Sequence, residues 1–66
     1  MVALWELEGI GHIERRLVGD SAAIQHSAGT TSVIGAWDQD ALIDMIDGLT
    51  KSGFVLHSVR RLDTDW

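Results

Sequence analysis

The sequence predicts an α+β domain with the element order βαββαβ, in which two helices cover one face of a four-stranded antiparallel sheet. Three features predict it. Strand-like runs begin and end the chain, at Met1–Glu8 and Phe54–Leu62. Residues 21–28 and 30–37 are typical of a hairpin, because a Gly separates two runs that contain β-branched residues. A segment with helical apolar spacing and matched capping residues lies between the hairpin and the last strand.

The first helix is predicted over Ile10–Val18, after Gly9 and Gly11 interrupt the first strand. Gly19 is a suitable left-handed terminus for this helix. Its apolar residues recur at i, i+3 and i+7, which places them on one side of a short helix: Ile10, Ile13 and Leu17.

The second helix carries the largest number of independent signals. Asp38 is a suitable N-cap, and Gly53 supplies the left-handed position just after the helix. With Gly53 in that position, Leu49 and Phe54 form the hydrophobic contact of a Schellman ending. The stripe that covers the sheet consists of Leu42, Met45, Ile46 and Leu49.

Two βαβ-like halves in this order predict the ferredoxin-like sandwich, with strand order 4-1-3-2. The 66 residues form a single domain with a small core, and 63–66 form a polar tail. Chains of this size usually rely on disulfides, metals or oligomerisation. Because the chain contains no Cys, disulfides and thiolate metal sites are excluded, and self-association is expected.

The charge balance excludes several classes of partner. Ten acidic and five basic residues give a net charge of −5. Without a stripe of Lys and Arg, such a surface is poorly suited to nucleic acid or to anionic membranes. No apolar run approaches the roughly 20 residues that span a bilayer, and the N-terminus does not resemble a signal peptide. A cytoplasmic protein that binds neither nucleic acid nor membrane is expected.

No metal site, cofactor or catalytic residue is predicted. Asp40, Asp44 and Asp47 recur at i, i+4 and i+7, which is typical of the solvent face of a helix. His26 and His57 lie on strands at opposite edges of the expected sheet, about 14 Å apart, too far to share an ion within one chain. The Ser residues lack a GxSxG motif, and a domain of this size has little room for a buried acid–base pair.

The predicted sheet has one face that no helix covers. Apolar residues on such a face form an exposed patch, which usually marks an interaction surface. We expect the protein to be a non-enzymatic interaction or regulatory module that forms a homodimer through this face, or contacts another protein there. An enzyme with a site around His57 at the dimer seam is a further alternative. Alternation leaves open whether Trp5 or Leu4 faces away from the helices, and the face of Trp37 is open in the same way. The residues expected at the interface are Trp5, Trp37, Val55, His57 and Val59.

The main alternative function is a small-ligand sensor. Gly9, Gly11 and His12 lie near the start of the predicted first helix, where free amides and the helix dipole favour anions. The two Gly residues are similar to the first strand-to-helix turn of ACT-type regulatory modules. That resemblance implies the same topology and a ligand site at this turn.

The C-terminal half of the chain resembles short, poorly characterised actinobacterial proteins. These carry a Gly, then DQ-x-AL, an amphipathic helix, a second Gly and a strand that ends in RRL. The resemblance implies a compact α+β domain with no established activity, cofactor or catalytic residue. The residues that carry it are Gly35, Asp38, Gln39, Ala41, Leu42, Gly53, Arg60, Arg61 and Leu62.

Overall fold

The computed structural model describes residues 1–62, so the predicted polar tail at 63–66 lies outside the described residues. All neighbouring strands are antiparallel, and their order is β2-β3-β1-β4. This is the predicted order 4-1-3-2 read from the other edge, so the predicted α+β class and strand order are confirmed. The elements are β1 (Val2–Ile10), α1 (Arg15–Val18), β2 (Ala23–Ser27), β3 (Thr30–Asp38), α2 (Gln39–Lys51) and β4 (Val55–Arg61).

Both helices pack against the same face of the sheet. Leu7 of β1 lies opposite Val33 of β3, and both side chains are fully buried. One apolar cluster joins these strand residues to residues of both helices and their connections, which forms a single core. Its members are Leu7, Ile13, Val18, Ala22, Val33, Leu42, Met45, Leu49 and Phe54.

Both ends of α2 are capped as the sequence predicts. The Asp38 carboxylate accepts a hydrogen bond from the Ala41 N–H at 2.7 Å. At the other end the Phe54 N–H donates to the Leu49 carbonyl at 3.0 Å, and the residue before Phe54, Gly53, has φ 103°. This is the Schellman geometry, in which Leu49 and Phe54 also meet in the core.

The hairpin between β2 and β3 has a two-residue loop. Ala28 and Gly29 both have positive φ, at 53° and 79°. Positive φ at both central residues matches the twist of the flanking strands, which explains why this short loop joins them directly. The predicted hairpin is confirmed.

The first helix is much shorter than predicted. Instead of Ile10–Val18, α1 contains only four residues, and β1 continues through Gly9 to Ile10. Ile10 pairs with Val55 of β4, so its backbone belongs to the sheet. Sheet pairing thus outweighs the helical spacing of Ile10, Ile13 and Leu17, which is a weak local preference over so few residues.

Arg15 organises the connection from α1 to β2. One of its terminal amino groups donates to the carbonyls of Gly19, Asp20 and Ala22, at 3.3, 3.2 and 2.6 Å. We expect Arg15→Ala to lower the free energy of unfolding by about 1–2 kcal/mol, because the loop loses charge-assisted hydrogen bonds. Urea unfolding followed by circular dichroism measures this change.

The matched control is Arg16→Ala. Arg16 pairs with Glu14 on the exposed surface, at 2.6 Å, and such pairs contribute little. We expect a change below about 0.5 kcal/mol for this variant. Equal losses from Arg15→Ala and Arg16→Ala would contradict the role given to Arg15.

Candidate interaction surface

The side of the sheet opposite the helices is the candidate interaction surface, which we call the open face. Its residues follow from the alternation of side chains along each strand and from the strand register. Residues of β1 on this face alternate with buried core residues such as Leu7. The three longer strands contribute Val2, Leu4, Glu6, Glu8, Ile10, Ser32, Ile34, Ala36, Val55, Ser58 and Arg60.

Apolar side chains cluster at one end of the open face. Leu4 lies opposite Ala36, and Ile34 and Val2 are the next residues on the same face of their strands. Leu4 and Val2 are 39% and 61% exposed although both are apolar. Cross-strand neighbours of this kind are in van der Waals reach, so they form one contiguous apolar area. We call Val2, Leu4, Ile34 and Ala36 the Leu4 patch.

A polar band borders the Leu4 patch. Glu6 and Arg60 lie opposite each other on neighbouring strands, and their side chains form an ion pair. This pair offsets the charge of Glu6, while Glu8 on the same face makes no ion pair within residues 1–62. Beyond the band, Ile10 and Val55 form a second, smaller apolar pair. The other members of the band are Glu8, Ser32 and Ser58.

The two tryptophans predicted for the uncovered face lie on the helix side instead. Trp5 pairs with Gly35, and Trp37 pairs with Ala3, which places both indoles on the same side of the sheet as Leu7. The Trp37 ring lies over Gly35, where a Cβ would be 2.6 Å from its carbons. The Trp5 indole N–H donates to the Trp37 carbonyl, and that of Trp37 donates to the Val18 carbonyl, both at 3.2 Å. Their predicted place on the uncovered face is therefore wrong. The Gly two positions before Trp37 in the same strand is the signal that could have revealed the place of that ring.

A bulge changes which side of β4 faces the helices. The pairing of β4 with β1 shifts between Glu8 and Gly9, and His57 is the extra residue. Val59 therefore lies opposite Leu7, on the helix side of the sheet near its edge. The prediction that Val59 points to the uncovered face is wrong, because simple alternation cannot anticipate the inserted residue. Val55 does lie on the open face.

Gly9 permits the close approach that accompanies this bulge. A Cβ at Gly9 would lie 2.1 Å from the Val55 carbonyl oxygen and 2.7 Å from the Phe54 ring. Only a residue without a side chain fits between strand and ring. The structure thus gives Gly9 a packing role in the sheet.

The predicted ligand-binding turn does not lie at a helix start. Gly11 has φ 123°, and α1 begins only at Arg15, so Gly11 and exposed His12 lie in the connecting segment. The Thr31 hydroxyl donates to the Gly11 carbonyl at 2.9 Å, and His26 Nδ1 lies 3.1 Å from the same hydroxyl. Because Thr31 has used its single proton, the His26 Nδ1–H is the donor in that contact. Ligand binding by Gly9, Gly11 and His12 stays a prediction.

The acidic row of α2 is exposed, as predicted. Asp40, Asp44 and Asp47 all lie on the surface, and Lys51 pairs with Asp47 at 2.9 Å. The hydrogen bond to Asp47, together with their coulombic attraction, raises the pKa of Lys51 above its ordinary 10.5. The pair therefore favours the folded state below about pH 10.5, and this contribution disappears as the pH rises through the folded-state pKa. Within residues 1–62, no three His, Asp or Glu side chains are grouped to hold a metal ion.

Comparison of the chain with protein-family models, with curated proteins and with solved structures finds no match. None of the helices in the described part of the chain has the length and hydrophobicity needed to span a bilayer. The geometry of the open face is therefore the basis for a functional proposal.

Proposed function

We propose that this protein is a non-enzymatic interaction module that works as a homodimer, joined through the open face of a ferredoxin-like domain. The observation that carries the proposal is the Leu4 patch. It is an apolar area on the side of the sheet without helices, and it is bordered by charged residues. Apolar areas with polar rims are typical of protein–protein contacts.

A second copy of the chain is the partner that fits this surface best. A two-fold axis in the plane of the contact places the Leu4 patch of one copy against the same patch of the other. Because a chain of 66 residues has a small core, burial of the Leu4 patch adds a large fraction to its buried apolar area. The apolar patch can therefore supply stability that a single copy lacks.

The distribution of charge favours the same arrangement. Two chains that each carry a net charge of −5 repel one another less when the charges at the contact surface are partly offset. On the open face Arg60 offsets Glu6. The acidic row Asp40, Asp44 and Asp47 lies on α2, on the other side of the sheet, so dimerisation through the open face keeps the two rows apart.

The ferredoxin-like assignment is supported by three features taken together. The element order is βαββαβ, the strand order is β2-β3-β1-β4, and both helices contribute to one core on one face. A sheet in this arrangement keeps its second face available for a partner, which links the fold to the proposed function.

Sedimentation equilibrium at micromolar concentrations tests the proposal. We expect a monomer–dimer equilibrium in which the heavier species has twice the 7.2 kDa mass of the chain. An apolar contact of modest area is consistent with dissociation constants in the micromolar range. A strict monomer up to about 0.1 mM, where the binding free energy would be weaker than about −5.5 kcal/mol, would rule the proposal out.

A further inference from the structure

The two edges of the sheet differ in how well they are protected from a further strand. β4 has a bulge at His57 and ends in Arg60 and Arg61, and both bulges and charges protect an edge. β2 has neither feature, because its five residues AIQHS pair with β3 in one unbroken register and include no Asp, Glu, Lys or Arg. It also contains no Pro. β2 is therefore the edge at which a further strand pairs most readily.

The register of the hairpin determines which backbone groups of β2 point outward. Ser27 and Thr30 flank the two-residue loop, so they form a hydrogen-bonded pair of the antiparallel ladder. Such pairs alternate along the strands with pairs that are not hydrogen-bonded. The backbone N–H and C=O groups of Ile24 and His26 consequently point away from β3. Within residues 1–62, no loop, turn or side chain bonds to these four groups.

The side chains of β2 leave this edge accessible. The His26 ring is directed toward β3, where its Nδ1–H donates to the Thr31 hydroxyl at 3.1 Å. The ring therefore points away from the free edge. Ile24 is half-buried at the border of the core, on the same side of the sheet as its partner Val33. An apolar side chain beside Ile24 in an added strand would thus extend the core.

We propose that β2 binds an extended, basic peptide segment of another protein, which adds to the sheet as a fifth strand. The peptide backbone pairs with the outward groups of Ile24 and His26, and alternate side chains of the peptide contact the two faces of the sheet. An apolar residue of the peptide packs against Ile24. The positive charge of the segment complements the net charge of −5 on the chain.

A second copy of β2 fits this edge less well. Antiparallel pairing of two copies about a two-fold axis at Gln25 places Ile24 of one copy opposite His26 of the other. Each isoleucine then lies beside an imidazole instead of an apolar side chain. Two chains with a net charge of −5 also repel one another, and β2 has no Lys or Arg to offset this repulsion.

The peptide site is separate from the proposed dimer interface. β2 is an edge strand, whereas the Leu4 patch lies on β1 and β3, on the open face. A monomeric chain can therefore bind the peptide, and a dimeric chain can fail to bind it. Sedimentation tests the dimer, and titration with a peptide tests the β2 edge.

Nuclear magnetic resonance of the ¹⁵N-labelled full chain, titrated with a synthetic peptide, tests the proposal. The probe is the acetylated and amidated peptide KTVTVTK, in which Val and Thr alternate between two Lys. We expect saturable shifts of the Ile24 and His26 amide signals and slower hydrogen exchange at both, because both N–H groups become bonded. The same peptide with both Val amides N-methylated should bind at least about tenfold more weakly, or about 1.4 kcal/mol. DTVTVTD, which reverses the charge, should also bind more weakly.

His26→Pro and His26→Ala form a matched pair of protein variants. Both lose the imidazole, but only Pro removes the backbone N–H. We expect His26→Pro to weaken binding of KTVTVTK at least about tenfold, and His26→Ala to leave the affinity within about twofold. Because this N–H points away from β3, both variants should keep the dispersed spectrum of the folded chain.

Several results would overturn the proposal. They are the absence of a saturable shift up to about 1 mM peptide, equal binding of the N-methylated peptide, equal affinities of His26→Pro and His26→Ala, and shifts confined to β4. Slow exchange of the Ile24 and His26 amides in the free protein, lost on dilution, would show that a second copy occupies β2. That result would also overturn it.

Discussion

The Leu4→Asp variant is expected to sediment as a monomer at concentrations where the wild-type chain is dimeric. In the proposed dimer the Leu4 side chain lies against its apolar neighbours Ala36 and Ile34 and the same patch of the second copy. A carboxylate buried there without a partner carries a large desolvation cost. We expect the dissociation constant to rise at least about 100-fold, which corresponds to about 2.7 kcal/mol. Sedimentation equilibrium measures it directly.

Ile43→Asp is the matched control for this experiment. Ile43 is 55% exposed and belongs to α2, on the other side of the sheet. Ile43→Asp and Leu4→Asp each replace an aliphatic side chain with a carboxylate. An unspecific effect of added negative charge would therefore influence both variants. We expect Ile43→Asp to dimerise like the wild type. If the two variants dissociated to the same extent, or if neither did, the open face would not be the interface.

The monomer itself should tolerate both substitutions. Leu4 is already 39% exposed in the single chain, so an Asp at this position remains in contact with water. Far-ultraviolet circular dichroism should therefore show the same spectrum for Leu4→Asp, Ile43→Asp and the wild type. A loss of secondary structure in Leu4→Asp alone would instead give Leu4 a role in folding.

Gly9→Ala is expected to cause the largest loss of stability among single glycine substitutions. The new Cβ would lie 2.1 Å from the Val55 carbonyl oxygen, which is a backbone atom in the β1–β4 pairing, and 2.7 Å from the Phe54 ring. Relief of this overlap requires the two strands to separate. We expect a loss of about 3 kcal/mol or more in the free energy of unfolding, at the upper end for overpacking. Urea unfolding monitored by circular dichroism gives the value.

Gly48→Ala should have the opposite effect. Gly48 lies inside α2, where a Cβ would make only ordinary contact with Leu17 at 3.5 Å. Ala loses less backbone entropy than Gly in a helix, so we expect a gain of about 0.5–1 kcal/mol. Comparison of Gly9→Ala with Gly48→Ala separates the cost of steric overlap from the general effect of replacing Gly by Ala. A loss in Gly48→Ala similar to that in Gly9→Ala would show that the spacing at Gly48 is already tight.

Features that depend on neighbouring residues were predictable from the sequence. The capping of α2 by Asp38 and the Schellman ending at Gly53 involve residues at most five positions apart, and both are present. The hairpin at Ala28–Gly29 is equally local. The strand order followed from the order of the elements, because short connections and antiparallel neighbours leave few arrangements.

The candidate interaction surface was predictable only in outline. A side of the sheet without helices follows from the element order, but the predicted residues Trp5, Trp37 and Val59 lie on the helix side. Alternation divides a strand into two sets of side chains without saying which set is buried. The length of α1 was not predictable either, because the helical spacing of Ile10 and Ile13 overestimated it.

Caps and turns are encoded in short segments of this chain, because their hydrogen bonds and backbone angles join residues close in sequence. The choice of buried face came from long-range packing: Trp5 and Trp37 lie opposite Gly35 and Ala3 across the sheet, and the bulge at His57 turns Val59 toward the helices. These contacts join residues about thirty to fifty positions apart. These contacts stabilise the protein only once the sheet has assembled, so a local sequence pattern does not predict them.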